Sequence, residues 1–216
     1  MKQPTGQKIV FWTLVIISIV TLSAPTFVVL GASVTSGNII AFPPEGFSLK
    51  WYGKILGEQD LRDAFVRSLQ VATICVLVSL PTGTLAGIAF SKYRIRGGVA
   101  IQTYLLLPFT IPLIGPGIGL MLAFGDAGIL GNLWPVGVAT SVINLPFMIW
   151  AVSSSAAGLD PDLELAAQSC GAGPIQTFFN VTLPAVTPGV ITGSLLMFIL
   201  SLNEFLVSLL LVDARI

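Results

Sequence analysis

The 216-residue chain has no histidine, only two cysteines, and charge on just 9% of its residues, ten basic and ten acidic. Each scarcity excludes a class of function. Without histidine there is no imidazole metal ligand, no histidine base and no Ser-His-Asp triad. Two cysteines cannot build a disulfide scaffold. No Gly-x-x-x-x-Gly-Lys-Ser/Thr run exists to cradle a nucleotide. A formal charge of zero offers nothing to a nucleic-acid backbone. A soluble domain wets its surface with about 25% charged residues, so a free-standing soluble enzyme is excluded too. No catalytic residue, cofactor or metal is expected.

What is abundant is apolar surface: 54% of residues are hydrophobic and the mean hydropathy is +0.92. A spanning helix needs about 20 mostly apolar residues. Residues 9–34, 69–91, 97–125 and 127–159 carry no charge, and 185–211 carries only Glu204. The reading is an all-α, polytopic transmembrane helical bundle in a single domain over 1–216. Its spans are expected at about 9–34, 69–91, 98–124, 136–157 and 185–211, with a loop over 159–184. Lys2 and Lys8 resemble a signal-peptide n-region, but the apolar run behind them far exceeds a cleavable core of about 7–15 residues. It reads as an uncleaved first span.

With the N-terminus inside, basic residues divide five against five between the two sides. Density breaks the tie, because Lys92, Arg94 and Arg96 crowd one short turn, where the positive-inside rule weighs most. In the segment 35–67, Pro43-Pro44 breaks the chain and Trp51-Tyr52 suits a headgroup-level anchor. Glu58 to Arg67 reads as a short amphipathic helix before the second span. Pro108, Pro112 and Pro116 share one face of the third span, which fits both a kinked packing helix and a pore-lining one. In the fourth span Asn144, near Ser141 and Pro146, fits interhelical glue or a substrate contact.

The 159–184 loop is the most informative. Asp160 is a good N-cap, Pro161 suits the first helical position, and Asp162 and Glu164 complement the positive helix end. A short helix over Leu163 to Cys170 should end at Gly171, a residue suited to left-handed backbone. Gly173-Pro174 starts a second short helix through Ile175, Phe178 and Phe179, and Leu183-Pro184 opens the last span. Glu204 would lie about 25 Å along that span at 1.5 Å per residue. Facing lipid it is costly, so it either faces a cavity or partner subunit, or reaches the outer headgroups and contacts Asn203.

Glu164-Leu-Ala-Ala-Gln-Ser-Cys-Gly171, nine residues, then Val181-Thr-Leu-Pro184 resembles the EAA loop of ABC-importer permeases. Ala166, Ala167, Gly171, Leu183 and Pro184 match in register. Leu165 stands where that family usually has glutamate, Glu164 lies one residue early, and the basic residues that often follow the Phe are absent. Phe42 to Tyr52 and Ser201-Leu-Asn-Glu-Phe205 are similar to segments of the spermidine/putrescine-type second permease. The resemblance implies a multi-pass permease subunit of a bacterial inner membrane, forming half of a pathway for a polyamine-like or related small solute. It implies a second permease subunit, identical or different, cytoplasmic ATP-binding subunits and a periplasmic or lipid-tethered substrate-binding protein. It also implies ATPase coupling through Glu164, Ala166, Ala167, Gly171, Leu183 and Pro184 in a cytoplasmic loop. Glu204, Asn203 and Asn144 are the candidates for the substrate pathway. Five spans of the family's expected six are seen, so the resemblance implies an early C-terminal end. An ion-coupled secondary transporter is the alternative, resting on Glu204. An intramembrane enzyme would need a nucleophile paired with a base, and the chain has no histidine and one acid, Glu204, within a span.

Overall fold

The computed structural model describes residues 5–38, 43–93 and 95–212. Lys2, Arg94, Arg215 and the Phe42 end of the permease-like 42–52 segment lie outside the described residues. The chain forms two compact units, 1–64 and 65–216, and among the described residues all regular structure is helical.

The first unit contains α1 (Thr5–Ser33) and α2 (Lys50–Gly57). None of the described residues of α1 is buried, although the helix is apolar all round, which is the character of a helix solvated by lipid. After it the chain folds back on polar contacts. The Thr35 hydroxyl accepts from the backbone N–H of Glu45 at 3.1 Å. Trp51 Nε1 donates to the Thr35 carbonyl at 3.2 Å, and Ser33 and Tyr52 share a hydrogen bond at 2.9 Å. Lys50 Nζ sits 4.9 Å from the Trp51 ring centroid. Trp51 and Tyr52 thus tie α2 to the end of α1.

A third helix, α3, runs unbroken over Gln59–Lys92. The separate amphipathic helix expected over 58–67 is instead the first part of the second span. No glycine or proline occurs from 59 to 80, so nothing interrupts the backbone ladder.

The second unit is built around α7 (Leu133–Ala157). On one side lies the membrane part of α3. On another lies α10 (Leu183–Leu202), which continues a helix begun at Pro174. Two glycine pairs permit this packing, Gly83 and Gly87 on α3 and Gly189 and Gly193 on α10. Met148 of α7, fully buried, lies between Gly83 and Gly193: a Cβ on either glycine would come within 2.4 Å of its side chain. One turn along, Val152 abuts Gly87, and Gly189 lies against Ala151, Val152 and Ser155. Around these layers Cys75, Ile88, Val186 and Met197 complete one apolar core. Close backbone approach through small residues is how helices associate in lipid, where apolar burial gives no advantage.

A second core gathers Val71, Val136, Ala139 and Ile143 with Val207 and Leu211. The last two lie on α11 (Leu206–Leu211), which packs on α6 (Ile114–Asp126). Phe109 reaches α7 through an edge-on contact with Phe147, ring centroids 5.0 Å apart. Helices 6–33, 59–92, 133–157 and 174–202 are long and apolar enough to cross a membrane, and 114–126 is a shorter apolar helix. The fold is an all-α polytopic transmembrane bundle.

Two expected spans are not single helices. The third, 98–124, is divided into α4 (Gly98–Leu105), α5 (Leu107–Thr110) and α6. Its prolines start helices rather than kink one. Pro108 and Pro116 lie in the first turns of α5 and α6, where a missing N–H costs no helical bond. Ile111, which precedes Pro112, is extended at φ −102°, ψ 135°, as sterics before proline demand. The three prolines therefore share no common helical face. The fifth, 185–211, is divided at Asn203 to Phe205 into α10 and α11.

Gly189→Ala is expected to destabilise the bundle by about 1–3 kcal/mol, as overpacking does. Its Cβ would lie 2.6 Å from the Ala151 carbonyl oxygen, an atom that cannot rotate away. Gly115→Ala, which meets nothing within 4 Å, should be neutral. Thermal unfolding in detergent compares the two variants, and equal midpoints would refute the packing account.

Candidate functional site

The 159–184 loop begins at α8 (Pro161–Ser169). Asp160 caps it, its carboxylate accepting from the Asp162 N–H at 3.0 Å, and Pro161 occupies the first position. At the other end Gly171 adopts φ +89°. Its N–H donates to the Gln168 carbonyl at 2.9 Å, and the Ala172 N–H donates to the Ala167 carbonyl at 3.0 Å. These two bonds form a Schellman closure, which needs a left-handed residue at Gly171.

The second short helix expected after Gly173 is not a separate element. Pro174–Thr177 (α9) runs through a π-helical turn, Phe178–Thr182, directly into α10. The Leu183 N–H reaches back to the Phe178 carbonyl, and this wider turn sits just before Pro184, which has no N–H to continue a regular ladder. That short helix and the opening of the last span at Leu183-Pro184 are thus continuous.

No residue of α8 is buried. Leu163 and Leu165 are 53% and 58% exposed, and Ala166 is exposed as well. Ile175 and Phe179 add open apolar surface nearby in the chain. Glu164 and Ala167, on the other face, are half-buried. Glu164 accepts from Lys92 Nζ at the end of α3 and from the Thr182 hydroxyl, while Lys92 also donates to Thr182 Oγ1 at 3.3 Å. Partial burial pushes the Glu164 carboxyl upward. The hydrogen bonds from Lys92 and Thr182, with the Lys92 charge, outweigh that and hold its pKa below the ordinary value.

The three candidates farther along the chain do not converge. Asn144 is buried in α7, one turn from Thr140. Asn203 is exposed, and its amide donates to the Ile199 carbonyl at 2.9 Å. Glu204 Oε1 accepts from the N–H groups of Leu206 and Val207, each at 3.1 Å. It organises the first turn of α11 where the fifth span breaks.

Sequence reasoning used Lys92 for orientation alone and passed over Thr182. A signal was available, since Lys92 closes a charge-free run on the side assigned to the acidic loop. It also passed over the patterns Gly83-Thr-Leu-Ala-Gly87 and Gly189-Val-Ile-Thr-Gly193, whose four-residue spacing marks close helix packing.

The chain is thus a polytopic helical bundle that carries a capped, exposed short helix outside its apolar core. The family described as "Binding-protein-dependent transport system inner membrane component" matches residues 79–214, and the chain belongs to it. The putrescine transport system permease protein PotI of Escherichia coli (strain K12) is 28% identical over 210 residues, covering 91% of this chain and 73% of that protein. The molybdenum transport system permease protein ModB of the same organism is 33% identical over 155 residues, 66% of this chain and 68% of its own. The spermidine/putrescine permease PotC of Haemophilus influenzae is 29% identical over 164 residues, with coverage of 76% and 64%. A crystal structure of a bacterial ABC transporter involved in alginate import shares the fold. Its TM-score is 0.71 at 20% identity, over all of this chain and 78% of that one. The family is a transporter membrane component, and these relatives are permeases.

Because the folded Glu164 carboxyl titrates below its unfolded value, its tie is complete above the ordinary glutamate range and is lost as pH falls through the lower folded value. A spin label on Leu165 should therefore show an unchanged spectrum from neutral pH down to the ordinary glutamate range and gain mobility only at more acid pH. Mobility rising near neutrality would contradict this.

Proposed function

We propose that the chain is the permease subunit of an ATP-driven importer in a bacterial inner membrane, forming half of the pathway with a second permease subunit. A binding protein delivers the solute on one side, and cytoplasmic ATPases engage the 159–184 loop on the other. The observation that carries this reading is α8 itself. It is a short helix closed at both ends by its own caps, yet it leaves Leu163, Leu165 and Ala166 uncovered. A helix of nine residues gains little stability alone, so such a surface is suited to a partner's groove. Ala166 is proposed to face that partner with Leu163 and Leu165, and Glu164, Ala167, Leu183 and Pro184 are proposed to complete the coupling loop. Gly171 sets its end.

The solute we propose is a small polyamine-like cation. Supporting this are the similarity to PotI along 91% of the chain, the similarity to PotC, and an acid at the α10–α11 break. Glu204 Oε1 is used in capping α11, which leaves the second oxygen of the carboxylate without a protein partner among the described residues. That oxygen is proposed to meet the solute, and Asn203 and Asn144 are proposed to line the same pathway at separate points.

The complex of this chain with its second permease, ATPases and binding protein, in proteoliposomes, should accumulate radiolabelled putrescine only with internal ATP and irrespective of ionophores. Ionophore-sensitive, ATP-independent uptake would refute the importer reading, and molybdate uptake in place of putrescine would refute the solute. Glu204→Gln keeps an acceptor for the α11 cap and removes only charge. Putrescine uptake should drop several-fold at constant membrane abundance; wild-type uptake would make Glu204 purely structural.

Gly171→Val places a β-branched residue at φ +89°, a strain of about 1 kcal/mol or more. ATP hydrolysis should continue in that variant while uptake is lost. Coupled uptake at the wild-type level would remove Gly171 from the coupling helix.

A further inference from the structure

We propose that Lys92, Glu164 and Thr182 form a joint that fixes α8 to the ends of α3 and α10, and that movement of α8 enters both spans through it. The inference rests on the reading of α8 as the coupling helix. Both caps of α8 are local: Asp160 bonds two residues ahead, and the Gly171 closure returns to α8 itself. Its apolar side chains are uncovered, so burial does little to hold it. Among the described residues, the side-chain hydrogen bonds from α8 to a distant element all come from Glu164.

The geometry is that of a joint rather than a loose surface pair. A single carboxylate oxygen, Glu164 Oε1, receives both the Lys92 ammonium and the Thr182 hydroxyl. The two donors also meet each other at 3.3 Å, so three groups from three elements close a triangle. Thr182 is 1% exposed and is the last residue of the π-helical turn, so its side chain is locked by packing. Lys92 is the last residue of α3, where a cation also complements the negative helix end. A displacement of α8 that keeps this triangle must carry the ends of α3 and α10 along. These are the two helices gripped on α7 by their glycine pairs. The three are positioning residues and touch no solute.

The test uses the assembled complex in proteoliposomes, with Cys75 and Cys170 replaced by serine and spin labels at Tyr93 and Gln168, both exposed. The wild-type distance distribution between the labels should be narrow. Glu164→Gln and Thr182→Val should broaden it and lower putrescine transported per ATP hydrolysed at least threefold, at unchanged membrane abundance. Lys92→Arg and Thr182→Ser preserve the donors and should stay within twofold of wild type in both readouts. Distributions that stay narrow in Glu164→Gln and Thr182→Val overturn the joint. Broadening with an unaltered transport ratio overturns its role in coupling. If the unsubstituted complex shows no ATP-linked uptake of putrescine, the functional reading has failed instead, and the distance distributions alone decide whether the joint exists.

Discussion

The close approach of α3 and α10 to α7 is the constraint on which the rest depends. Met148 and Val152 occupy successive layers between Gly83 and Gly193 and between Gly87 and Gly189. In water such a sandwich would gain from apolar burial. In lipid that gain vanishes, and what remains is dispersion between surfaces close enough to touch along their whole length. Removing the Cβ at four positions brings the backbones together, and the side chains of one helix fill the space. The buried hydroxyls fit the same scheme: Thr140 returns to the Val136 carbonyl at 3.0 Å and Ser79 to the Cys75 carbonyl at 2.7 Å. Each thus finds an acceptor within its own helix, and Thr140 also meets the Ser201 hydroxyl of α10 at 3.4 Å across the interface.

Against this rigid centre the breaks acquire meaning. Both lie in the part of the second unit built from α4 to α6 and α11, and each has a local chemical cause. Pro108, Pro112 and Pro116 remove backbone donors at three places, and the helix restarts twice, as α5 and α6. At Asn203 and Glu204 two polar side chains compete for backbone groups, Asn203 with the carbonyl of Ile199 and Glu204 with the N–H groups of α11. Side chains that bond to nearby backbone offer an alternative to the regular ladder. The ends of α10 and α11 are therefore set by residues that an apolar-run count treats as mere interruptions.

The same local causes separate the legible features of the chain from the illegible ones. Hydropathy located the apolar segments, because lipid solvation is a composition-level demand that every residue of a span must meet. Asp160 and Gly171 were legible as the bounds of α8 because capping is decided within a few residues. The continuity of α3 from Gln59 was lost by treating polar residues as a boundary, although polarity changes the environment of a helix without ending it. The π-helical turn and the Glu164 triangle were illegible for a different reason. The first depends on how Pro184 is absorbed in three dimensions. The second joins residues 72 and 18 positions apart, contacts that no local pattern encodes.

The Glu164–Lys92 pair also shows why its value lies in geometry. Both side chains keep 20–25% of their exposure, and ion pairs accessible to solvent contribute about 0–1 kcal/mol. Set against a bundle held by extensive interhelical packing, that is too little to matter for folding. A weak interaction can still dictate direction if it is the main side-chain tie between an uncovered helix and its base, and if one donor is immobilised. Thr182 supplies that immobilisation, since its hydroxyl is buried beside the start of α10. Strong packing is spent on keeping α3, α7 and α10 together, while a solvent-accessible, hydrogen-bonded pair orients α8. This division leaves the outer face of α8 available to a partner.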